Sequence, residues 1–257
     1  MKGFYRLLNH ETTMMLRGAV IISAAVLVIS LILIQSVTGS VHENTVHPRF
    51  EELYKQSGST LVFILGLAAT CAWFAKSFYE SYWGSKNIYT MLTLPVRREA
   101  YYLGKLGAFL ICLSLLFAAQ MATIWLGYSL MDAKFAAHVD ASYTMTNGLL
   151  LALVRSSFLR LFFPLHFGDW LLLGSLLISL ASGLYYGLIC ERSKRFWGLI
   201  FIAAAMIIGI RAVNQKMADT FFFSSYTGLY IGSILLIALT AWFVWHSIRL
   251  VRRGFIA

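Results

Sequence analysis

Charge is scarce in this sequence. Asp, Glu, Lys and Arg together make up 12% of its 257 residues, about half of what a soluble domain carries. A water-facing globule of this length is thereby excluded. Proline is almost absent, at 3 residues, so long helices can run without interruption. Cysteine is equally rare. Cys71, Cys112 and Cys190 all lie in or at the end of apolar runs, and none has the paired spacing of a zinc or redox site. An odd number of thiols in apolar surroundings gives no disulfide framework, and these read as small core residues.

Catalytic spacings are missing too. The stretch His10–Met14, HETTM, starts like a zinc-protease helix but has Met where the second imidazole would stand. No GxSxG elbow occurs, and no Walker A loop precedes any lysine. The remaining histidines do not have ligand spacing. We expect no enzyme activity, cofactor or metal in this chain. An intramembrane enzyme would need convergent acid, base or metal-binding side chains at one depth, and the sequence offers no such set.

What the chain does have is apolar length. Hydrophobic residues account for 59% and the mean hydropathy is +0.73. Six runs are long enough to cross a bilayer: Gly18–Val37, Ser59–Phe78, Leu106–Met131, Asp169–Cys190, Trp197–Val213 and Gly228–Ser247. None alternates with the period of a barrel strand, so helices are the expected form. The predicted fold is all-α: a single six-span domain, with residues 1–17 as an amphipathic helix along the membrane surface. Residues Gly18–Val37 exceed the apolar core of a signal peptide and read as an uncleaved first span.

The net charge of +10 fits a basic inner face against anionic lipid rather than a nucleic-acid partner. With the N-terminus inside, twice as many Lys and Arg fall inside as outside, and both termini are cytoplasmic. The run Leu149–Phe163 is interrupted by Arg155 and Arg160, each costly at a span centre. It is expected as an outer interfacial or re-entrant helix ended by Pro164, with a seventh span as the alternative.

Small residues mark helix packing. Ser175, Ser179, Gly183 and Gly187 recur every fourth residue in the fourth span, and Gly228 and Gly232 form a GxxxG in the sixth. Such faces let helices approach closely inside one bundle, or between subunits. Gln120 is the clearest polar side chain within a span. It either bonds across helices or lines a path.

The longest inner loop, residues 79–105, reads YESYWGSKNIYTMLTLPVRREAYYLGK. Aromatic anchoring at the lipid interface accounts for Tyr79, Tyr82, Trp83, Tyr101 and Tyr102. It leaves unexplained the apolar group Ile88, Met91, Leu92 and Leu94 beside Pro95, a composition suited to a protein partner. This stretch resembles the segment between spans two and three of the ABC-2 type permeases, the membrane subunits of bacterial ATP-driven exporters. Ser85, Leu92, Leu94, Pro95, Arg97 and Lys105 occupy positions of that family's pattern.

The resemblance implies a coupling helix in this loop that fits a groove of a separate ATPase subunit. Ser85, Ile88, Met91, Leu92, Leu94 and Pro95 would make the contact, with Arg97, Arg98 and Glu99 at its rim. It further implies a second permease copy or related chain, ATP and Mg on the partner, membrane lipids as surroundings and the bacterial cytoplasmic membrane as location. The few charges in the spans suit a hydrophobic or amphipathic cargo. One departure is plain: many members carry re-entrant helices between spans five and six, whereas Leu149–Phe163 follows span three. A non-transporting sensor or assembly partner, holding a soluble protein on the same loop, is the alternative.

Overall fold

The computed structural model describes residues 2–39, 49–81, 98–138, 148–164, 166–194, 197–218 and 226–252. Among these residues there is no strand. In chain order the helices are α1 (Lys2–Gly39), α2 (Phe50–Gln56), α3 (Ser59–Tyr79), α4 (Arg98–His138), α5 (Leu149–Arg155), α6 (Leu159–Phe162), α7 (Phe167–Arg192), α8 (Gly198–Ala218) and α9 (Tyr226–Arg252). Six of them, α1, α3, α4, α7, α8 and α9, are long and apolar enough to cross a membrane.

Two of the six are much longer than a bilayer requires. Helix α1 has 38 residues and α4 has 41, so each extends close to 60 Å at about 1.5 Å per residue, about twice the thickness of a hydrocarbon core. Residues 2–17, expected as a separate surface helix, and the first span are therefore one unbroken helix, with no proline to part them. Helices α1 and α4 run in the same direction. Leu7 and Leu8 lie beside Gly104 and Gly107 near one end, and Ile34 lies against Gly127 near the other.

Helix α1 meets its neighbours along one stripe. Glu11, Met15, Ala19, Ser23, Val26, Ser30, Ile34 and Thr38 are buried at steps of three and four, the spacing that keeps side chains on one face. Val20, Ile21, Val28, Ile29 and Ile32 on the other side are exposed, as suits a lipid-facing surface. Helix α3 returns antiparallel. Its Trp73 ring covers Gly18, and its Gly66 lies under Val26, where any added Cβ would collide.

The second half joins α7, α8 and α9. Helix α9 buries Leu229, Ser233, Leu236, Thr240, Phe243, Ser247 and Leu250, alternating steps of four and three like a coiled-coil seam. Small hydroxyls alternate with larger apolar residues, so the helices approach closely while keeping an interlocked surface. Tyr185 of α7 fastens the halves together. Its ring stacks on Tyr102 of α4 at 4.7 Å and meets Phe74 of α3 edge-on at 5.5 Å.

Residues 149–163 form two short helices, of 7 and 4 residues, where one was expected. The chain turns extended at Ser156, whose hydroxyl accepts the backbone N–H of Leu159 and starts the second piece. Neither piece is long enough to cross a bilayer. They bury Ala152, Leu153, Leu159 and Phe162 against α2, α3 and α4. Helix α2 itself was not anticipated. It turns into α3 through Gly58, whose φ of 71° suits a residue without a Cβ.

Candidate functional site

The ends of α1, α3, α4, α7 and α9 converge at one pole, around Ser81 and Arg98. Lys105 is at its centre. It sits two turns into α4, and its side chain is wholly buried. Its ammonium donates to the Ser81 hydroxyl at 2.8 Å and to the Tyr101 hydroxyl at 3.3 Å, and lies 3.7 Å from a carboxylate oxygen of Glu11. The Phe78 and Tyr101 rings flank it, with centroids 5.9 and 5.6 Å away.

A lysine ammonium has three donors and no acceptor, and here it faces one oxygen each from α4, the end of α3 and α1. Ser81 in turn donates to the Ser77 carbonyl at 2.8 Å. A lysine beside a serine is also the arrangement of a Ser–Lys nucleophile, which needs a neutral amine and a free hydroxyl. Here a Glu11 carboxylate stands beside the ammonium, and the Ser81 hydroxyl hydrogen is given to the Ser77 carbonyl. The arrangement is a clamp that ties three helix ends together.

Weaker links surround the clamp. Tyr79 donates to Glu191, joining α3 to α7. Arg252 pairs with Glu99 at 2.6 Å, joining α9 to α4. Lys76 and Glu80 pair along α3 at 3.6 Å with both side chains mostly exposed, a contact worth little in water.

The structure places the sequence candidates as follows. Ser85, Ile88, Met91, Leu92, Leu94, Pro95 and Arg97 lie outside the described residues. Arg98 opens α4, and Glu99 beside it is engaged by Arg252. Gln120 is fully buried, and its side-chain amide donates to the Tyr54 hydroxyl of α2. Burial raises the Tyr54 phenol far above its ordinary pKa and keeps it protonated. Ser175 and Ser179 are buried on α7. Gly183 faces Phe243 of α9, and Gly187 faces Ile202 of α8. Gly228 lies against Gln215 and Gly232 against Ala212, so the GxxxG of α9 is where α8 comes close.

Three partners escaped sequence reasoning: Glu11 and Ser81 for Lys105, and Tyr54 for Gln120. A further buried pair, Lys216 with Asp169 at 2.8 Å, stands at the opposite pole. The available signal was a charge embedded at the edge of an apolar run, which marks a need for a partner without naming it. No group of three or more metal-ligating side chains occurs among the described residues. No family model matches the chain, and no curated protein or solved structure is significantly similar to it.

Proposed function

We propose that this chain is the membrane permease subunit of an ATP-binding cassette exporter, driven by a separate ATPase subunit that docks on the 79–105 loop. The observation that carries the reading is the clamped root of that segment. Lys105, which falls in the permease-like sequence pattern, joins the end of α3 to the start of α4 and both to α1. A force applied to the segment would therefore reach three long helices at once. Coupling of that kind needs a stiff connection between the docking element and the parts that move.

In this reading Ile88, Met91, Leu92 and Leu94 fill a groove on the ATPase, while Arg97, Arg98 and Glu99 lie at its rim. ATP and Mg are held by the partner. Two permease chains, identical or related, complete the complex in the bacterial cytoplasmic membrane with both termini inside. The cargo is a hydrophobic or amphipathic molecule, in keeping with apolar spans.

The test is copurification from native membranes in mild detergent. An ATPase subunit in equal amount, lost on Leu92→Asp/Leu94→Asp while the permease still elutes as a single peak, supports the reading. An ATPase retained in full by that variant would sink the docking assignment. The second reading, a sensor or assembly factor, rests on the same apolar group in the sequence. Copurification of a kinase, protease or other non-ATPase protein would favour it.

A further inference from the structure

Among the described residues, each half of the bundle contains one buried lysine paired with one carboxylate, and the two pairs stand at opposite poles. Glu11–Lys105 secures the first half at the loop pole. In the second half Lys216 of α8 meets Asp169 of α7 at 2.8 Å, with side-chain exposures of 4% and 10%. Asp169 lies in the first turn of α7, and its second oxygen accepts the backbone N–H of His166 at 3.4 Å. Lys216 lies in the last turn of α8. The two helix dipoles therefore favour these charges where they stand.

One turn deeper, Leu172, Ala212 and Leu229 form a small buried apolar cluster between α7, α8 and α9. The ion pair covers it from the far pole. The short helix α6 packs across α7 and α8 on the same side. Apolar packing alone would suffice for a permanently closed end. A buried ion pair contributes little net stability over apolar residues, and its distinctive property is that parting it exposes two charges that water then solvates.

We propose that Asp169 and Lys216 form a latch holding the far pole of the second half closed, and that opening this pole to water requires the pair to separate. The inference concerns the closed bundle and holds whether or not an ATPase drives it. Under the permease reading, the latch is the far-side gate.

The test uses the full-length chain with Cys71, Cys112 and Cys190 replaced by alanine and a single reporter, Ala212→Cys. The cysteine thiolate adds to the double bond of a water-borne maleimide, so the labelling rate reports water reaching that depth. Ala212 is 5% exposed, and labelling in this parent should be slow. Asp169→Asn or Lys216→Met alone should speed it by about tenfold or more, because each takes the opposite charge away from a buried one. Asp169→Leu/Lys216→Leu should return it to the parent rate. Ala108→Cys, buried in the first half, serves as a control and should stay slow throughout.

Single variants that label like the parent overturn the latch. So does a double variant as fast as the singles, which would make packing volume rather than charge the closing element. A parallel rise at Ala108→Cys overturns it as general loosening. If neither single variant elutes as a monodisperse peak, the pair is a folding element and the latch fails. None of these readings depends on ATPase binding, so failure here is separate from failure of the permease assignment.

Discussion

The ammonium of Lys105 lies 2.8 Å from the hydroxyl of Ser81, a contact that joins the end of α3 to the first turns of α4. A contact that closes a loop at its root fixes where both ends point, whatever the loop itself does. Because Glu11 joins the same ammonium, the root is also part of α1.

Lys105→Met should be among the most harmful single changes outside the apolar core. It leaves Glu11 buried without its cation, a loss of about 3–5 kcal/mol for a broken buried pair. Thermal unfolding in detergent, followed by size-exclusion, should show a large fall in melting temperature. Glu11→Gln/Lys105→Met should recover a good part of it, and strictly additive losses would argue against a direct pair.

Arg252→Ala provides the contrast. Its partner Glu99 is partly exposed and Arg252 mostly so, and solvent screens such pairs. The melting temperature should stay at the parent value within error. A drop comparable to that of Lys105→Met would mean that the outer links carry the pole instead.

Gly66→Ala should destabilise the α1–α3 contact, because the added methyl meets the Val26 side chain. Overpacking of this kind costs about 1–3 kcal/mol, and the β-branched valine has little freedom to turn aside. Val26→Ala/Gly66→Ala should recover stability relative to Gly66→Ala alone. Two losses that simply add would place the strain elsewhere.

Gln120→Leu removes the donor to the buried Tyr54 hydroxyl and should cost about 1–3 kcal/mol. Tyr54→Phe/Gln120→Leu should cost less than Gln120→Leu alone, since it leaves no buried phenol without a donor. The double-mutant cycle on melting temperature checks this. Transport retained with both groups gone would also remove Gln120 from any cargo path.

Much of the fold was legible because a span announces itself by length and hydropathy, properties local to each segment. The ends of the helices were harder to read. Helix α4 starts at Arg98 and runs to His138, well past the apolar stretch Leu106–Met131, because polar residues at its ends still form helical backbone bonds. Helix α2, FEELYKQ, has a polar composition. Its burial of Phe50, Leu53 and Tyr54 is set by neighbours distant in sequence.

The candidate site was legible by half for the same reason. Lys105 was picked out by a pattern of neighbouring residues. Glu11 stands out in the sequence as part of a failed zinc motif and as an inner-face acid, and its partner lies on another helix. Asp169 stands in the sequence only as the first residue of the fourth span, and nothing there singles out Lys216. Charges in an apolar chain mark sidedness or form pairs, and only packing separates the two uses.

The shared direction of α1 and α4 has a consequence for how the protein is made. Two neighbouring helices pointing the same way cannot be consecutive spans, so α3 must be threaded between their syntheses. Glu11 therefore emerges from the ribosome long before its cation does, and α1 enters the membrane with an orphan carboxylate at its entrance. Insertion of α4 supplies Lys105 and neutralises it. The first half of the molecule thus has a built-in order of assembly, with Glu11 of α1 waiting on the third span for its cation.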